Sequence, residues 1–247
     1  MMKKIILCLI CQLILVNFCF SAEKVIILTS VIPPYVNNTD SGLATEIIKD
    51  LFQKSGIDYS IRIRPFKRAL KEAKSHNNSC VVPLQRSQER ETQFKWVGPV
   101  IITQTGLYSN SSDNIKIQVF HDAFKNNILV LRGSGDEEYL KGFGILTDPG
   151  SSEELNARKL KAHRSRLWAA DTMIAPYYAS RVGAKIKLQT IIITTMRYLA
   201  FNKGIADSTI DKLNNELDLM RKNGSLEKIY KKYAGKLNIK DVHQFIF

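Results

Sequence analysis

An alternation of short Val/Ile-rich runs with amphipathic stretches, made twice and framed by two long extended runs, is what most restricts the fold of this chain. Residues 24–31 form an apolar run ending at Pro33-Pro34, where two prolines remove ladder donors. Between Gly42 and Gly56, Leu43, Ile47, Leu51 and Phe52 share one helical face, and Gly56 supplies a C-terminal stop. Tyr59, Ile61 and Ile63 alternate with polar residues, Pro65 opens a helix to about His76, and residues 80–84 read as a third strand. The second unit repeats the scheme. Strands are predicted at 127–131, 144–147 and 167–170, and helices from Asp136, over 151–163 (Ser151 and Glu154 spaced as a capping box) and over 172–182, bent near Pro176.

Strand–helix alternation of this kind predicts an α/β fold with mainly parallel sheets flanked by helices. The extended runs 97–108 and 191–202 carry the chain out of the first unit and back, which predicts two lobes joined by two hinge crossovers. The expected division is 22–106 plus 195–247 for lobe I and 107–194 for lobe II, with hinges near 104–107 and 194–198. Helices over 207–222 and 225–233 finish the chain, the first with Ile210, Leu213, Leu217 and Met220 facing inward. A cleft between the lobes then gathers strand ends and helix N-termini, where open α/β sheets bind their ligands.

Residues 1–21 stand apart from this pattern. Lys3 and Lys4 precede an apolar stretch from Ile5 to Phe20 and then small residues, which reads as a signal peptide cleaved after Ser21. Removing it lowers the formal charge from +13 to +11 and leaves Cys80 alone, so no intrachain disulfide is expected. In the run Ser79-Cys80-Val81-Val82 a buried structural thiol is expected rather than a nucleophile. The basic balance does not lead to nucleic acid, since neither zinc-finger spacings nor a run of five basic residues occurs. No metal-ligand spacing is present, the four histidines fall in polar segments, and neither a metal, a cofactor nor a catalytic residue is expected.

Several segments in order resemble the periplasmic solute-binding proteins of the polar amino-acid type, family 3. They are Pro33-Pro34-Tyr35 with Gly42-Leu43, residues 65–69 (PFKRA), residues 83–90 (PLQRSQER) with 94–99 (FKWVGP), Arg132-Gly133-Ser134-Gly135, residues 168–171 (WAAD), 199–204 (LAFNKG) and 223–233 (NGSLEKIYKKY). The resemblance covers essentially the whole chain after the signal. It implies the two-lobed periplasmic-binding fold, a small-molecule ligand such as an amino acid or related carboxylate, and a periplasmic monomer. It further implies an ABC permease as partner, with a separate sensor kinase as the alternative, and a dehydratase-like enzyme of the same fold as the competing class.

Residue roles follow from the resemblance. Arg90 closes the Ser/Thr-x-x-Arg element begun by Ser87 and matches the family's carboxylate anchor, a task for which a forked guanidinium is well shaped. Asp171 matches the acid that meets the ligand's ammonium, although an Asp before a helix also serves as a cap. The Gly133-Ser134-Gly135 turn exposes backbone N–H groups at a helix start and is expected to take an anionic group, with Asp136 and Glu137 competing for the same dipole. Tyr35, Phe66 and Trp168 sit at positions resembling the cleft rim, Arg68 is a second cation for an acidic ligand, and Gln85 is a polar contact. Three positions depart from the family pattern: Pro83 replaces a small hydroxyl residue, Ile32 an aromatic, and Arg166 a Lys or Asp. These departures open the ligand to peptides, opines and other small carboxylates.

Overall fold

The computed structural model describes residues 24–117 and 119–237, so the expected signal segment 1–21 and residues 238–247 lie outside the described residues. In chain order the elements are β1 (Val25–Thr29), α1 (Leu43–Ser55), β2 (Tyr59–Ile63), α2 (Phe66–Ser75), β3 (Ser79–Gln85) and β4 (Lys95–Asn110). There follow β5 (Ile128–Leu131), α3 (Gly135–Gly142), β6 (Thr147–Gly150), α4 (Glu153–Lys161), β7 (Leu167–Asp171), α5 (Ile174–Val182), β8 (Ile186–Phe201), α6 (Asp207–Lys222) and α7 (Ser225–Leu237).

One sheet of order β2-β1-β3-β8-β4-β7-β5-β6 runs through both lobes. Its two ends are parallel: β1 pairs with β2 and β3 on one side, and β5 with β6 and β7 on the other. Between them β4 and β8 form an antiparallel ribbon from the pair Lys95–Phe201 to the pair Asn110–Ile186. The two extended runs of the sequence are therefore strands of 16 residues each that belong to both lobes at once. Register shifts between Thr105 and Gly106 and between Leu107 and Tyr108 bend the ribbon at the first predicted hinge.

The α1 helix buries Leu43, Ile47, Leu51 and Phe52 against Leu213, Leu217 and Met220 of α6, the faces that the helical spacing picks out. Burying a Leu or Phe side chain contributes about 1.5–3 kcal/mol. Gly56 ends α1 in the left-handed region with φ 63°. In lobe II, Ile128 and Val130 pack into one cluster with Leu140 and Leu167, while Leu129 faces a second with Ala157, Leu160 and Trp168. Apolar residues on both faces of β5 are what a strand covered on both sides requires. Cys80 is buried in the lobe I core, where burial pushes its thiol far up and away from nucleophilic use.

Three local expectations shift. Residues 144–146 are a turn rather than a strand, because Gly144 takes φ 73° and the amides of Gly144 and Ile145 return to Lys141 and Leu140, closing α3 before β6 begins at Thr147. The cap of α4 is Ser152, whose hydroxyl accepts from the Leu155 amide at 3.1 Å, one residue after the expected Ser151. Pro176 does not bend α5, since the helix starts at Ile174 and a first-turn residue has no intrahelical acceptor to lose.

Candidate functional site

A cavity of about 420 Å³ lies between the lobes, walled from one side by Phe66, Gln85 and Arg90 and from the other by Ser134, Gly135, Asp136, Glu153 and Asp171. Arg64 and Tyr178 also line it, and Arg197 reaches it from the ribbon strand β8. Its volume falls within the range of small-molecule sites.

Each charged group arrives by a definite local route. The loop after β3 turns at Ser87, whose carbonyl accepts the Arg90 amide at 3.0 Å, and this turns the Arg90 side chain back toward the strand. There Arg90, only 2% exposed, donates to the Gln85 carbonyl at 3.3 Å and, across the cleft, to the Gly133 carbonyl at 2.8 Å. Its Nη2 also pairs with Glu138 Oε1, and Ser87 Oγ donates to the other oxygen of that carboxylate at 2.8 Å. A protein carboxylate thus sits on the Ser87/Arg90 pair. The glycine turn is served in the same way. Gly133 donates its N–H to Glu137 Oε2 at 2.5 Å, and the Ser134 hydroxyl caps α3 by accepting the Glu137 amide at 3.1 Å.

Asp171 ends β7 and is buried to 1% exposure. Its carboxylate pairs with Arg197 at 2.9 Å, accepts the Tyr35 hydroxyl at 2.9 and 3.0 Å, and accepts the Met173 amide at 2.8 Å ahead of α5. Its carboxylate therefore both holds the turn that leads into α5 and lines the cavity. Arg197 lies over the Tyr35 ring at 5.4 Å; burial opposes its charge more than any single neighbour favours it, but Asp171, Tyr35 and Asp136 together hold its pKa above the usual value. Its Nε–H is buried without an acceptor.

Among the described residues neither Asp136 nor Glu153 forms an ion pair of its own, although Arg197 lies near Asp136. Asp136 accepts the Thr105 hydroxyl at 2.8 Å, and burial raises its pKa despite Arg197 nearby. Glu153 accepts the Trp168 indole N–H at 3.0 Å and the Asn156 amide at 3.2 Å. Burial pushes it up to about 7, and the neighbouring Asp136 charge adds to that rise.

Of the residues expected at the site, the structure brings Gln85, Phe66, Arg90, Ser134, Gly135 and Asp171 onto the two walls of one cavity. Three do not reach it. Tyr35 is fully buried because the Ile32–Val36 bridge folds the Pro33-Pro34 turn inward, so it touches the site only through its hydroxyl on Asp171. Trp168 packs within lobe II beside Tyr108 and meets the wall only through its indole N–H on Glu153. Arg68 points to solvent and pairs with Glu72 at 2.6 Å. Sequence reasoning missed Arg197, Glu153 and Tyr178 as wall residues and read Asp136 only as a competitor for the helix dipole. A usable signal existed for Arg197, the one charged residue in the run from Leu188 to Phe201 that crosses the second predicted hinge, and for Glu153, since a buried indole N–H needs an acceptor.

Solved structures with the same architecture cover nearly all of their own length with this chain. A histidine kinase sensor domain similar to periplasmic binding proteins aligns over 86% of this chain and 96% of its own, with TM-score 0.78 and 16% identity. An ancestral arginine-binding protein bound to arginine aligns over 85% and 97%, with TM-score 0.74 and 20% identity. An ancestral amino acid-binding protein, a precursor of cyclohexadienyl dehydratase, aligns over 85% and 95%, with TM-score 0.71 and 17% identity. At these identities the likeness establishes the two-lobed fold. A comparison with curated proteins returns no match. The family model for bacterial extracellular solute-binding proteins, family 3, matches residues 25–236, and the chain belongs to that family.

Proposed function

We propose that this chain is the periplasmic receptor of an ABC-type uptake system, closing two lobes, 22–106 with 195–247 and 107–194, over one small charged solute. The observation that carries this reading is the interlobe cavity itself, lined by buried charged side chains from both lobes, with hydrogen bonds that cross the cleft from Arg90 to Gly133 and from Tyr35 to Asp171. Closure of this kind is driven by contacts that the ligand makes only in the closed state, and binding proteins of the periplasm are a standard instance of it. The ligand is an amino acid or a related small nitrogenous solute, its cationic end toward Asp136, Glu153 and Asp171. The expected residence is the periplasm, reached through the signal segment 1–21, and the receptor acts as a monomer on a membrane permease.

To test this, residues 22–247 are unfolded and refolded to remove carried-over ligand, then screened by thermal shift against amino acids, amines and organic acids. A binding solute at a hundredfold excess over Kd stabilises by about 2.7 kcal/mol, and solution scattering should show a smaller radius of gyration with it. A panel without any shift would overturn the receptor reading.

One observation favours a second reading. Glu153, held near neutrality in the cavity wall, has the protonation balance of a general acid, as a lyase of this fold would need. Incubation of a bound solute with the protein, followed by NMR of the solute, separates the two: a receptor returns it unchanged.

A further inference from the structure

The cleft answers an anion in two places, and the chain's own carboxylates fill both. Glu138 lies on Ser87 and Arg90, and Glu137 lies on the Gly133 N–H. Both belong to the first turn of α3, where the helix N-terminus favours negative charge. The guanidinium of Arg197 is likewise taken by Asp171. Against these paired cations stand Asp136 and Glu153, buried in the same wall and hydrogen-bonded to neutral groups, Asp136 to Thr105 and Gln85 and Glu153 to Trp168 and Asn156, with Arg197, already paired to Asp171, as the charge near Asp136. Arg64, the third arginine of the wall, is taken by Glu72 at 3.3 Å. Among the described lining residues, then, every arginine already faces a protein carboxylate, and the inner cavity has negative charge to be matched. An isolated buried carboxylate is costly, and a ligand cation supplies the missing partner.

We propose that the cleft selects a small organic cation that has no carboxylate, an alkyl amine or alkyl guanidine whose charged head sits between Asp136 and Glu153, with Glu138 standing where the carboxylate of an amino acid would bind. This rests on the receptor reading above and narrows its ligand class. Arg197 Nε–H, buried in the wall without an acceptor, remains for a neutral oxygen of the ligand or an accompanying water. An amino acid entering the same site would bring its carboxylate toward the acids, where repulsion and lost hydration reject it.

Matched pairs that differ only by the carboxylate give the test: agmatine against arginine and cadaverine against lysine, titrated calorimetrically into the refolded chain. The wild type should bind the amine at least about tenfold more tightly than the parent amino acid. Asp136→Asn and Glu153→Gln should each lose most of the amine affinity. Glu138→Ala vacates the Ser87/Arg90 pair and should shrink the amine preference by at least about tenfold through gained amino-acid binding. Circular dichroism checks the fold of that variant, and Glu138→Gln, which keeps an acceptor on Arg90, should shift the preference in the same direction to a lesser degree.

Tighter binding of the amino acid than of its amine in the wild type overturns the inference, as does an unchanged preference in both Glu138 variants. Absence of binding by any amine overturns it as well. In that case an organic acid or amino acid that still shifts the melting temperature leaves the receptor reading standing, whereas a silent panel removes both.

Discussion

Between about pH 4.5 and 7 the folded protein holds a proton on Glu153 that the unfolded chain has already released, because burial lifts this carboxyl to about 7. The folded state then binds more protons than the unfolded state, so this residue's contribution to stability is greatest in acid and falls as pH rises through that window. Glu153→Gln keeps an acceptor for the Trp168 indole and removes the titration. Urea unfolding at pH 4 and pH 8 should show the variant gaining about 3 kcal/mol on the wild type between the two. The same proton opposes a cationic ligand. Glu153 faces Asn156, Trp168, Asp136, Asp171 and Tyr178, none of which is a cation, so a bound amine should drive the proton off and bind more tightly at pH 8 than at pH 6. Arg90 presents the opposite case. With its own side chain 3% exposed and Glu138 at 23%, Glu138→Ala leaves a nearly buried guanidinium without its counter-ion, and chemical denaturation should show a loss of about 2–3 kcal/mol.

At the scale of elements, two glycines separate folding from closure. Gly42 precedes α1 with φ +130°, and a Cβ there would stand 2.3 Å from the Tyr35 carbonyl oxygen. Gly42→Ala should cost about 3 kcal/mol or more, seen as a lower urea midpoint. Gly135 has no such backbone constraint, yet a Cβ would meet the Gln85 amide of the other lobe at 2.6–2.9 Å. Gly135→Ala should leave the urea midpoint within about 0.5 kcal/mol of wild type while weakening ligand affinity about tenfold, since only the closed state brings the two together. The helices and parallel strands were legible because their apolar spacing reports directly which face is buried, as Leu213, Leu217 and Met220 show. The site was legible only in part. Asp171, Gln85 and Phe66 sit beside strand ends, where a one-dimensional pattern points, but Arg197 enters the cavity from the middle of a long strand, and its facing depends on a register that bulges reset. The filling of Arg90 by Glu138 joins residues 48 positions apart across two lobes, and no local spacing encodes it.

For the molecule as a whole, one phenol would help to hold the lobes together in the closure proposed above. Tyr35 belongs to the lobe I core and its hydroxyl reaches Asp171 of the other lobe. Tyr35→Phe should leave the core packed, remove about 1 kcal/mol from the closed state, and weaken ligand binding about fivefold, with a larger ligand-free radius of gyration in scattering.

The ribbon of β4 and β8 adds a mechanical consequence. Because both strands run unbroken through the two lobes and are hydrogen-bonded along most of their length, opening the cleft can only twist and flex them, in the manner of a torsion bar clamped at each end. Arg197 grows out of β8 at the cavity wall and is pinned to Asp171 on β7, the strand on the far side of β4. In the receptor proposed above, a solute that touches Arg197 would apply its torque at the pivot itself, and occupancy of the cleft would be read out as a change in the angle of the bar without any intervening linkage.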